Sequence, residues 1–219
     1  MSDKIYTDFH SNNFEDRWIS ENLILPEKGF FVDVGACDAI KRSNTYHFEM
    51  NGWDGICIEA DKFYFEDNTD DEGPNNPLPK FRKTCINSAI SDSDGELEFV
   101  SRGRKCLSQV WSGEEGAPHY TVKCLKLETI LQEYDVDTID LLDITSRGHD
   151  WKVWNSFDYT KYEPKVIITE FNAKNFLKDN RVTEFLLDTG EYHLGSHSLV
   201  YNILVHNDIK YSHLPRVEG

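Results

Sequence analysis

The sequence is short of most features that would assign it to a membrane, a metal or a nucleic acid. None of its apolar runs approaches membrane-spanning length, and Met1–Ser11 lack the basic flank and hydrophobic stretch of a signal peptide. A soluble, cytoplasmic protein without a membrane span is the expectation. Only five cysteines occur (Cys37, Cys57, Cys85, Cys106, Cys124), with no CxxC pair. Most sit in apolar runs, where cysteine acts as a small hydrophobe, so the reading is a reducing compartment. Histidines such as His193, His197 and His206 fall at no recognisable metal-ligand spacing, and no metal is expected. Basic residues are scarce, 23 Lys and Arg against 39 Asp and Glu, for a formal charge of -16. That charge repels phosphate backbones and argues against nucleic acid. Two short clusters, Lys80-Arg82-Lys83 and Arg102-Arg104-Lys105, are the local exceptions.

What is present suits one globular domain of 219 residues, 39% hydrophobic and 13% aromatic. The mean hydropathy of -0.57 then reflects surface charge rather than disorder. A segment over residues 1–28 carries one amphipathic helix between Asn13 and Leu25, its apolar face set by Phe14, Trp18, Ile19 and Leu23 and its end by Pro26. Phe30–Gly35 and Gly55–Glu59 read as buried strands ending in acids, with a helix over Ser43–Met50 between them, capped by Ser43 or Asn44. Asp70–Pro79 reads as loop, Thr84–Ile90 as a third strand and Glu96–Val100 as an alternating one. Residues 102–119 form a polar excursion docked by Ser108, Val110 and Trp111.

Beyond it come strands at Tyr120–Cys124, Thr138–Ile144 and Lys165–Phe171, and helices at Leu127–Glu133, Trp151–Phe157 and Arg181–Asp188, the last closed by Gly190. Tyr192–Leu194 and Leu199–Val205 suit an antiparallel hairpin. Alternating strands and helices predict an α/β fold: a mostly parallel central sheet, helices on both faces, and this C-terminal hairpin.

Open α/β sheets bind ligands beyond the carboxyl ends of their strands. Gly35 follows the first strand and lets the backbone approach a ligand; Glu59 ends the second, about 20 residues on, where a carboxylate can accept both ribose hydroxyls. The dinucleotide pattern Gly-x-Gly-x-x-Gly is absent, because Cys37 and Ile40 stand at its second and third glycines. A pyrophosphate cofactor is disfavoured, and acidic Asp33 and Asp38 favour the cationic sulfonium of S-adenosylmethionine (SAM). The competing reading is that Asp33, Gly35 and Glu59 merely end strands.

The stretches Phe14–Ile19, Gly29–Asp38, Ser43–Tyr46 and Gly52–Glu59 closely resemble the FkbM family of SAM-dependent methyltransferases. Weaker similarity continues through Asn87–Asp92, Leu125–Leu131, Ile139–Val153 and Val166–Asn172. The resemblance implies a Rossmann-like class I methyltransferase fold with SAM as cofactor and oxygen methylation of a sugar, glycan or small hydroxylated acceptor. It implies that Asp33, Gly35, Ala36, Asp38 and Asn44 border the methionine part, Glu59 and Ala60 the ribose, and Ser88 and Ala89 the adenine. The family loop reads Asp-x-Gly-Ala-Asn-Asp-Gly; here Cys37 replaces Asn and Ala39 replaces Gly.

The acceptor side departs further. Family members carry Asp-x-Glu-Gly-x-Glu after the fourth strand, and the matching positions here are Thr145, Arg147 and Asp150. O-methylation needs an aligned acceptor and a base for its proton. Asp143, His149 and Glu170 are the candidates, in that order. Their structural alternatives are a turn cap for Asp143, a solvated loop position for His149, and an ion pair with Arg147 or Arg181 for Glu170. Loss of the acids also leaves open a catalytically degenerate binding module, and beyond that another nucleoside-handling enzyme. Acceptor identity and oligomeric state are not legible.

Overall fold

A computed structural model describes residues 8–70, 73–102, 108–113, 119–170 and 180–212. In chain order come α1 (Glu15–Asn22), β1 (Phe30–Val34), α2 (Tyr46–Met50), β2 (Asp54–Glu59) and a 3-10 turn over Lys62–Phe65. A two-residue ribbon follows, β3 (Thr69–Asp70) and β4 (Gly73–Pro74), then α3 (Leu78–Phe81), β5 (Cys85–Asn87), β6 (Ala89–Ile90), β7 (Gly95–Val100), β8 (Gln109–Val110) and β9 (Tyr120–Leu125). The remainder is α4 (Leu127–Glu133), β10 (Leu141–Ile144), α5 (Asp150–Trp154), α6 (Tyr159–Tyr162), β11 (Val166–Glu170), α7 (Arg181–Thr189), β12 (Tyr192–His197) and β13 (Tyr201–His206).

The main sheet has seven strands in the order β12-β13-β11-β10-β1-β2-β5. The pairs from β11 through β10, β1 and β2 to β5 are parallel, while β13 runs antiparallel to both β11 and β12. Order reverses between β1 and β10, so the crevice at the switch point opens beside the carboxyl ends of those two strands. Period-two alternation divides the strand side chains between two cores. Val32, Ile56, Leu142 and Ile167 face a layer of α4, α5 and α7, packed through Leu127, Val153 and Leu186. Phe31, Cys57, Leu141 and Ile168 face α1 and α2 through Ile19 and Phe48.

Thr84–Ile90 is not the single strand its apolar run predicts. It breaks at Ser88: β5 completes the main sheet, and β6 joins a second, four-stranded sheet of order β6-β9-β7-β8. Ser88 makes the crossing, its amide donating to Glu59 O (3.1 Å) and its Oγ reaching Lys123 O (3.1 Å) beside β9. The docking expected of Ser108, Val110 and Trp111 takes the form of β8 pairing with β7 and a Trp111 amide bond to Glu98 O. Asp70–Pro79 is not pure loop either, since β3 and β4 pair across it and α3 begins at Leu78.

Cys57, Cys85 and Cys124 carry free thiols. Cys37 is disulfide-bonded, unlike the free thiols that a reducing compartment implies, and it still packs in the core beside Ala36 and Ala39. Cys106, the basic residues Arg104 and Lys105, Met1–Thr7, Phe171, Asn172 and much of the 102–119 excursion lie outside the described residues. The other basic cluster is dismantled: Lys80 pairs with Asp67, Lys83 with Asp54 (2.7 Å), and Arg82 is buried. Among the described residues no helix is long and apolar enough to cross a membrane.

Candidate functional site

A cleft lies at the carboxyl ends of β1, β2, β10 and β11, walled on one side by the second sheet. Of the residues singled out in the sequence, Asp33, Gly35, Ala36, Asn44, Glu59, Ala60, Ser88, Ala89, Asp143, His149 and Glu170 all line it. Asp38 does not. Its carboxylate is occupied by the amides of Ile40, Lys41 and Asn76 and by the Asn76 side chain, so it shapes the turn under the cleft.

Asp33 of β1 and Asp143 of β10 are paired in parallel register and both are 2% exposed. Their side chains share one sheet face. Burial raises the Asp33 carboxyl above its ordinary range, while the Arg82 guanidinium and a 2.5 Å bond from Thr45 Oγ1 pull it back. Asp143 has no such cation. Burial, then the charge of Asp33, pushes it well above the carboxylate range, opposed by Asn44 Nδ2 at 2.9 Å. Asp143 is therefore the harder of the two to ionise. Asp143 Oδ1 and Asn44 Oδ1 are both buried without a hydrogen-bond partner.

Arg82 is the residue that sequence reasoning missed. Read as part of a surface patch, it instead runs beneath α2, where it pairs with Glu49 and donates to Thr45 Oγ1 (2.7 Å), Ser43 Oγ (3.2 Å) and Ala39 O (3.3 Å). No local pattern announces it, because its partners lie more than thirty positions away.

Gly35 has φ +91, and a Cβ there would stand 2.5 Å from Thr145 O. The glycine loop and the loop after β10 are thereby in contact. Glu59 ties the same loop to β2, accepting the Cys37 amide at 2.9 Å and the Asp61 amide at 2.7 Å. Burial still pushes its carboxyl up to about 7. Asp61, also missed, is fully buried and gathers Ser101 Oγ (2.6 Å), Ser108 Oγ (2.5 Å) and Tyr120 OH (3.2 Å), joining the second sheet to the end of β2.

On the other flank Arg147 Nη1 meets Glu170 Oε1 at 2.7 Å and the Arg147 amide meets Oε2 at 3.1 Å, the ion pair foreseen as the structural role of Glu170. Burial raises the Glu170 carboxyl and Arg147 draws it back. His149 is no solvated loop residue. Its Nε2 lies 2.9 Å from Ser91 Oγ, and burial, aided by Lys152, lowers its pKa, so the ring is neutral at pH 7. Asp150, the acid kept from the family pattern, is buried behind the lining, accepting the Ser146 amide (3.0 Å) and hydroxyl (2.6 Å) and the Glu170 amide (3.2 Å).

The cleft thus combines a glycine turn, an acid at the end of the second strand, and buried acceptors at the switch point. Neither a characterised protein nor a solved structure matches the chain significantly. The methyltransferase FkbM domain matches residues 33–194, from the first cleft acid to the C-terminal hairpin. That span exceeds half of the sequence, and the chain belongs to the FkbM methyltransferase family.

Proposed function

We propose that the chain, a single domain in this reading, transfers a methyl group from SAM to a hydroxyl oxygen of a sugar, glycan or other small acceptor. The observation that carries this is the pair of partnerless buried acceptors, Asn44 Oδ1 and Asp143 Oδ1, in the cleft wall. Buried acceptors left unmade are costly, and an ammonium group supplies the donors they lack. The α-amino group of SAM fits them, and a cation there returns Asp143 to its ionised form. Glu59 keeps lone pairs for two ribose hydroxyls, since each of its oxygens takes one backbone amide. Ala60, Ser88 and Ala89 lie along the adenine.

Bound SAM supplies an electrophilic methyl carbon on sulfonium. The chain's part is to align the acceptor oxygen and take its proton as the C–O bond forms and the C–S bond breaks. His149, neutral and cleft-lining, can take that proton; so can Asp143 once ionised. Glu170 is engaged by Arg147 on both oxygens and acts in this reading by holding the loop after β10.

Calorimetric titration with S-adenosylhomocysteine (SAH) tests the cofactor half: binding is expected, weakened strongly by Glu59→Ala, and its absence from the intact protein sinks the proposal. The closed Arg147–Glu170 pair favours one alternative, a methyltransferase-fold binding module without turnover. Transfer of labelled methyl onto a panel of glycosides and small alcohols decides between them.

A further inference from the structure

A second, smaller hollow lies between the start of α1 and the β12–β13 hairpin, and Tyr201 lines both it and the cleft. Tyr201 is therefore the partition between them. Three irregularities coincide at this hollow. Phe14, at the N-cap of α1, holds φ +66, a conformation rarely tolerated by a bulky side chain, and the residue is 61% exposed. Asn13 Nδ2 is buried with no acceptor. The register of the hairpin shifts between Leu194 and Ser196, where Gly195 lets the strand approach Trp18: a Cβ there would meet the indole at 2.7 Å. Bulges of this kind re-aim side chains beside functional sites.

The chemistry of the lining selects a ligand. Phe14 and Trp18 offer aromatic faces, Asn13 a donor, and Ser198 a hydroxyl at the rim. The carboxylate of Glu15 is buried there, accepting the Asn13 amide (3.0 Å) and Ser198 Oγ (3.0 Å), and no Lys or Arg lines the hollow. An anionic group entering it would face the buried Glu15 carboxylate with no Lys or Arg beside it and only His197 at the lining. A ring with apolar C–H faces and neutral hydroxyl edges satisfies the aromatics and the amide together.

We propose that this hollow is the acceptor subsite and that it takes a neutral pyranose ring, presenting one hydroxyl past Tyr201 to the cleft. Its role as acceptor subsite rests on the methyl-transfer reading above. Saturation-transfer NMR on the full chain, with millimolar methyl β-D-glucopyranoside, methyl α-D-mannopyranoside and glucose 6-phosphate, tests it. The neutral glycosides should receive saturation on their ring protons and the phosphate should not. Phe14→Ala, which removes an exposed ring, should weaken the signal by about two- to tenfold, the worth of one aromatic contact. Asn13→Ala should weaken it as well, with SAH titration unchanged in both variants. No saturation of either neutral glycoside, or an undiminished signal in Phe14→Ala, overturns the proposal even where SAH binds. Glycoside binding without SAH binding overturns instead the methyl-transfer reading and leaves a ring-binding hollow.

Discussion

Asp33 and Asp143 stand side by side on neighbouring parallel strands, both buried, yet only Asp33 has a cation within reach. The pair cannot ionise freely together, so its two members take different states. In the free protein Asp143 is hard to ionise, so kcat/KM for SAM should rise with pH along a limb well above the ordinary carboxylate range. Asp143→Asn should remove that limb from a pH–rate profile; an unchanged limb assigns it to another group.

Glu59 makes SAH affinity pH-dependent. Hydroxyl donors favour its ionised form, so binding should release a proton below pH 7, and affinity should climb by up to about tenfold per pH unit there. Calorimetry in buffers of differing ionisation enthalpy measures that proton. Glu59→Gln should remove the Glu59 share of the release and leave only the proton that Asp143 loses to the bound ammonium.

The free protein should show the opposite trend in stability. Glu59 and Asp150 are both raised to about 7, so between their unfolded values and that pH the native state binds more protons than the unfolded one. Stability from these groups is present at low pH and is lost as pH rises through 7. Urea midpoints across pH 5 to 8 check this, and a rising midpoint over that range contradicts it.

Arg82→Met should cost about 3–5 kcal/mol, because it strands Asp33 and Glu49 as buried carboxylates. Urea unfolding measures the loss. A cost under about 1 kcal/mol, the scale of surface pairs, would show that Arg82 does not neutralise the network.

Gly35→Ala should impair both stability and SAH binding. It places a methyl against Thr145 O at a backbone angle of φ +91. About 1–3 kcal/mol of strain is expected from the angle alone. Gly113→Ala, also at positive φ but with nothing within 4 Å of its Cβ, separates angle from contact.

Much of this was legible from period and punctuation. Leu127–Glu133 is a helix with the bounds its spacing predicts, and Gly190 closes α7 in a left-handed conformation. β1, β2, β10 and β11 lie where apolar runs end in acids or polar residues, because burial on both faces demands such runs. The strand-end rule then led to most of the cleft lining. Thr84–Ile90 misled because one apolar run serves two sheets equally well, and only the pairing of β6 with β9 divides it.

By itself the sequence determined which residues stand at the carboxyl ends of the strands, since that follows from local alternation and one topological rule. Only the tertiary structure decided what each of them does there. Asp38 became a turn clamp, Glu170 the partner of Arg147, and Asp143 the harder to ionise of the pair it makes with Asp33. The states of these acids depend on burial and on charges brought from distant segments, above all Arg82, and no spacing along the chain encodes that encounter.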